Sequence, residues 1–160
     1  MPRVAFGAPP MSGARDFSAL VAARSGLQDA VIIADPDFLL EALPYYIRNR
    51  TYLMRERRFG NVVKFTRKAC LSIDLDDILS AARTPRAESG KSILILLNTS
   101  LDPSQPAQTY HEGYDWTLIV APEQVHDFLI STQFLARVTA ARRDESFDVY
   151  LLAGSNQTNH

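Results

Sequence analysis

Between Pro44 and Phe65 the chain reads PYYIRNRTYLMRERRFGNVVKF, a run that gathers residue types equipped to grip a ligand. From Arg48 to Lys68 the bases are Arg48, Arg50, Arg55, Arg57, Arg58, Lys64, Arg67 and Lys68, against the single acid Glu56. Arginine forks match carboxylate and phosphate in bidentate fashion. Tyrosine rings offer flat faces for sugars or bases. Tyr45, Tyr46, Arg48, Arg50, Tyr52, Arg55, Arg57 and Arg58 are therefore the candidate binding or docking strip. The plain alternative is a solvated edge, where arginines on short strands block aggregation.

A second candidate set follows from fold class. In open α/β folds ligands sit beyond the carboxyl ends of the strands, which brings together Asp35, Asp37, Asn98, Ser100, Asp102 and His111. Asp35, Asp37 and Glu123 stand at helix starts, where they complement the dipole and repel a phosphate. No Gly-rich turn follows the first strand. SGKS at 89–92 lacks the upstream glycine of a phosphate loop and leads into a strand. No nucleotide and no other cofactor is therefore expected.

His126 reads as a surface residue, because its neighbour Asp127 faces elsewhere on a helix. In YHEGYDW (110–116), His111, Glu112 and Asp115 need a further partner before they hold a metal or move a proton. Cys70 stands outside any nucleophile motif and no GxSxG elbow exists. No catalytic residue and no metal site is assigned.

Composition narrows the partners. Apolar residues make up 46% of the 160 and charged residues 22%, so the chain suits one domain with a core of its own. The formal net charge of −1 supplies no global field for a polyanion, and no nucleic-acid partner is expected. One cysteine excludes an internal disulfide. The longest apolar runs, ILILL at 93–97 and VIIA at 31–34, fall far short of the roughly 20 residues of a membrane helix.

The elements follow from periodicity. Residues 1–13, rich in proline and glycine, read as a leader or linker; 14–153 form a single α/β domain; 154–160 are a tail expected to fray. A helix begins at Ala14, with Phe17, Leu20 and Val21 on one side and Gly26 as a stop. AVIIA (30–34) and SILILLN (92–98) read as strands covered on both faces. Asp35 and Pro36 open a helix carrying Leu39, Leu40, Leu43 and Ile47. Short strands are expected at TYLM (51–54) and NVVKFT (61–66), and a helix capped by Ser72 or Asp74 that ends at RTPR (83–86). A loop runs from Thr99 to Asp115, then the strand WTLIVA (116–121) and a helix from Pro122 carrying Val125, Phe128, Leu129, Thr132 and Leu135, with Arg142 and Arg143 in its last turn. FDVYLLA (147–153) is the final strand. The alternation predicts a three-layer α/β sandwich with a mostly parallel, Rossmann-like sheet of about five strands.

The wording DAVIIADPDFLLEALPYYIRNRTYLMRERRFGNVVKFT resembles a segment in the soluble C-terminal region of bacterial GT-C type membrane glycosyltransferases, the dolichyl-phosphate-mannose and aminoarabinose transferase-like proteins. The likeness covers roughly residues 15–80. It implies a noncatalytic accessory domain on the periplasmic side of the inner membrane, serving an enzyme that uses a lipid-phosphate-linked sugar donor. In that family the catalytic carboxylates lie on the membrane part, so none is carried over. The implied partners are the membrane-embedded transferase part, in the same or a separate chain, and anionic lipid. Replacing Arg55 and Arg57 together by alanine is then expected to spare the fold and weaken adhesion to anionic vesicles. The alternative is a free-standing cytoplasmic α/β protein or enzyme that binds a small ligand at the strand ends.

Overall fold

The computed structural model describes residues 12–64, 69–113 and 115–154. The expected leader and tail lie almost wholly outside them. Helix α1 (Ser12–Ala23) leads into β1 (Val31–Asp35). Two short 3-10 turns, Asp37–Leu40 and Leu43–Tyr45, then reach the hairpin of β2 (Tyr52–Leu53) and β3 (Arg58–Phe59). Next come β4 (Ser72–Asp74), α2 (Leu75–Ser89), β5 (Ile93–Leu97) and β6 (Gln108–His111). Strand β7 (Thr117–Val120), α3 (Pro122–Ser131), β8 (Gln133–Val138) and β9 (Phe147–Leu152) complete the order.

These strands do not form the single, mostly parallel, five-stranded sheet that the alternation predicts. Among the described residues there are three small sheets: β1-β5-β9-β8 and β4-β7-β6, both mixed, and the antiparallel pair β2-β3. Only β1 with β5 and β4 with β7 run parallel; β9 lies antiparallel between β5 and β8, and β6 antiparallel to β7. For β8 and β9 the reason lies after α3. Thr132 folds its hydroxyl back onto the Phe128 carbonyl (2.8 Å) and takes an extended backbone, so the helix stops at Ser131. Leu135, expected on the helix, belongs to strand β8, which returns against β9 as a hairpin; Arg142 and Arg143 fall in the turn between the two strands.

Other local expectations are corrected too. Pro44 and the residues before it form 3-10 turns rather than one helix after Asp35. Helix α2 runs through Pro85 to Ser89 and does not end at RTPR, because Gly90, at φ 68°, supplies the left-handed stop instead. The loop after Thr99 contains β6. Residues 61–64 form no strand, and 65–68 lie outside the described residues.

Strands β1 and β5 are buried along their whole length and β9 nearly so, as continuous apolar strands require, while the edge strand β8 is largely exposed. Ile32, Ala34, Leu94, Leu96 and Val149 pack toward α1 and the 3-10 turns, meeting Phe17, Leu40 and Leu43. On the other face Ile33, Ile93, Ile95 and Leu97 meet Ile78 and Leu79 of α2 and Val125 and Phe128 of α3. Alternate residues of β1 and β5 thus serve opposite cores, the period of two that a strand imposes. Helix α2 starts with a reciprocal cap: Asp74 accepts from the Asp77 N–H (2.8 Å), and the Asp77 carboxylate accepts from the Asp74 N–H (3.0 Å).

Candidate functional site

Arg55, from the middle of the basic strip, is not on the surface. It sits in the β2–β3 turn with its side chain fully enclosed. Its Nε and Nη2 donate to Asp35 Oδ1 at 3.1 and 2.9 Å. Nη1 donates to the carbonyls of Cys70 (2.9 Å) and Leu71 (2.8 Å). Nη2 also reaches Glu112 Oε2 (2.9 Å) and the Thr117 carbonyl (3.1 Å). The guanidinium lies 4.9 Å from the Trp116 ring centre. One cation therefore joins the end of β1, the chain entering β4, and the β6–β7 turn. A lone buried charge is costly, and this one persists because every nitrogen is partnered.

Two acids compensate one arginine, and a third lies close by. Asp35 Oδ2 and Glu112 Oε1 are buried and accept no N–H or hydroxyl among the described residues. The two carboxyl groups influence each other's titration, and a proton kept on Glu112 is the one donor that would serve the facing Asp35 oxygen. Burial, followed by the bond to Asp35 and its charge, pushes Glu112 up to about 9. Burial raises Asp35 as well, outweighing its bonds to Glu112 and Arg55. Asp37 accepts the N–H groups of Met54 and Arg55, both at 3.2 Å, which fix the hairpin over β1. Its burial, with the Asp35 charge beside it, pushes it up to about 7.

The rest of the strip divides. Tyr52 is buried edge-on to Phe59, with ring centres 5.1 Å apart. Arg58 bonds Glu56 (3.1 Å) and the Val62 carbonyl (2.6 Å). Arg50 covers the Phe59 ring at 3.8 Å while staying exposed. Tyr45 is 87% exposed, Tyr46 half-buried and Arg48 exposed. Arg57 is exposed at φ 53°, and its Nη2 lies 3.8 Å from Cys70 Sγ.

The strand-end residues do not converge on one opening. Asp35 and Asp37 are sealed in the cluster just described. The Asn98 N–H donates to the Asp35 carbonyl (3.1 Å), and its side chain ties the carbonyls of Arg143 and Ser146. Ser100 meets Arg137, which pairs with Asp148 (2.7 Å). Asp102 closes a turn on Ser104 (2.7 Å), and His111 is exposed at the end of β6. Among the described residues no group of three or more His, Cys, Asp and Glu is placed to hold a metal ion.

A cleft of about 370 Å³ opens between the β2–β3 hairpin and α2. Its lining comes from Tyr52, Met54 and Arg57 of the hairpin, from Cys70, Ser72 and Ile73 at β4, and from Asp77, Ser80, Ala81 and Thr84 of α2. Sequence reasoning marked two of these, Tyr52 and Arg57, as binding residues. The legible signal for the helix wall was its spacing, since 77, 80, 81 and 84 fall on one face.

Comparison with protein-family models, with curated proteins and with solved structures found no match.

Proposed function

We propose that this chain is a noncatalytic accessory domain of a membrane glycosyltransferase that uses a lipid-phosphate-linked sugar donor. It docks on the membrane part or on lipid phosphate through the exposed remainder of the basic strip. The observation that carries the docking is the exposure of Tyr45 together with Arg48 and Arg50 in one short stretch. A tyrosine held out to solvent beside arginines suits a lipid–water interface, where the ring settles at headgroup depth. Each arginine near an anionic surface contributes about 1 kcal/mol. The resemblance of roughly residues 15–80 to the transferase C-terminal regions supports the kind of enzyme. Among the described residues no helix is long and apolar enough to cross a membrane.

The test is co-sedimentation with phosphatidylglycerol–phosphatidylcholine vesicles at low and moderate salt. Binding that weakens with salt, and drops about fivefold for Arg48→Ala and further for Tyr45→Ala with Arg48→Ala, is expected. Wild-type protein that stays in the supernatant at low salt overturns the lipid-docking reading.

A further inference from the structure

We propose that the cleft between the β2–β3 hairpin and α2 binds a small polyhydroxylated carboxylate, a sugar acid of monosaccharide size. The site shares Tyr52 and Arg57 with the strip but none of Tyr45, Arg48 and Arg50, on which the docking rests, so the two are tested independently. Its volume of about 370 Å³ lies near the lower limit for ligand pockets, which run from about 300 to 1,000 Å³. That suits a single ring or a short open chain.

The lining is built for hydroxyls and one negative charge. Among the described residues the hydroxyls of Ser72, Ser80 and Thr84 make no side-chain hydrogen bond, and Arg57 makes no ion pair. Asp77 gives Oδ2 to the Asp74 N–H, which leaves Oδ1 to accept from a ligand hydroxyl. Pro85 has no N–H to give the Ala81 carbonyl, so α2 withholds one helical bond at a residue of this wall. Arg57 holds its place at φ 53°, a conformation unfavourable for a residue with a Cβ. Strain of this kind, kept at a cationic residue lining a cleft, is what ligand clamps show. From behind, Arg55 fixes the base of the cleft through the Cys70 and Leu71 carbonyls, so the walls are set before a ligand arrives.

The charge balance selects carboxylate over phosphate. The guanidinium fork fits either anion, but its single positive charge balances a carboxylate monoanion and only half of a phosphate dianion. A phosphate dianion would meet a single arginine and face the Asp77 carboxyl, while Asp74 already occupies the α2 amides that otherwise receive phosphates.

The test is titration of isotope-labelled full chain with sodium glucuronate, glucose, acetate and glucose 6-phosphate, following amide shifts over residues 70–84. Saturable shifts with glucuronate are expected, with affinity about tenfold weaker for glucose, which lacks the charge, and for acetate, which lacks the hydroxyls. Glucose 6-phosphate binds more weakly than glucuronate. Ser80→Leu, at an exposed position of the α2 wall, fills the cleft and abolishes the shifts while melting as wild type does. Arg57→Gly weakens glucuronate about tenfold and melts no lower. Shifts that never saturate, equal binding of acetate or glucose 6-phosphate, or glucuronate binding that survives Ser80→Leu would each overturn the assignment. Vesicle adhesion is unchanged in Ser80→Leu, so failure of this site and failure of the docking surface are read separately.

Discussion

At the scale of single residues, two arginines two positions apart do opposite work. Arg55 is a structural cation whose partners span three segments of the fold. Removing one member of a buried, hydrogen-bonded charge group strands the others, at a cost of about 3–5 kcal/mol. Arg55→Ala is therefore expected to shift the urea midpoint down by most of the protein's stability, or to leave it unfolded. A midpoint within about 1 kcal/mol of wild type would contradict the network. This differs from the expectation that the Arg55 and Arg57 pair can be removed without harm to the fold. Arg57, by contrast, carries left-handed strain at the surface. Arg57→Gly removes a side chain from a conformation costing about 1 kcal/mol, part of which the more flexible unfolded chain takes back. Equal or slightly raised stability by chemical denaturation is expected; a loss above about 1 kcal/mol would mean that the Arg57 side chain supports the fold.

At the scale of elements, the α2 start holds two helices in register. Asp74 caps α2 and also accepts from Gln124 Nε2 of α3 at 3.1 Å. Asp74→Ala is expected to cost about 1–2 kcal/mol, seen as a lower thermal midpoint with little change in the spectrum of secondary structure. Asp74→Asn, which keeps an acceptor, recovers most of that loss. This cap was legible because acids before an apolar helical stripe have a fixed local meaning. Strands β1 and β5 were legible too, since five consecutive buried residues leave few other choices. Strand direction was not. Whether β9 runs with or against β5 depends on where the chain turns after α3. That turn hangs on Thr132 and a short alternating stretch that also fits a helical face. The candidate site was legible to the same degree. Arginines and tyrosines marked the segment, but an arginine that stacks on a distant Trp116 and bonds Glu112 is indistinguishable in sequence from one that faces water.

At the scale of the whole molecule, three small sheets share no continuous ladder, and the buried Arg55 cluster joins them together with the proton that burial favours on Glu112. Glu112 carries it at the β6–β7 turn, Asp35 shares it from the end of β1, and Arg55 clamps both from the hairpin. Asp37, facing the same hairpin, is the other acid in the cluster. Between its ordinary 4.5 and the folded value of about 9, Glu112 is protonated in the folded chain and ionised in the unfolded one. The folded state then holds the extra proton, so stability falls as pH rises, by at most about 1.4 kcal/mol per unit for each such group. The contribution is complete below 4.5 and lost above about 9; Asp37 adds the same trend between 3.8 and about 7. Urea midpoints should therefore decline from pH 7 to 9.5. Over that range amide exchange should quicken first in β6 and β7, which flank Glu112, while β1, β5 and β9 stay protected. Glu112→Gln keeps the shape, donates to Asp35 from its amide nitrogen and accepts from Arg55 at its oxygen, but has no proton to lose. In that variant the alkaline slope should flatten and the exchange of β6 and β7 should track the core. A wild-type midpoint that holds level from pH 7 to 9.5 would show that no proton joins the sheets.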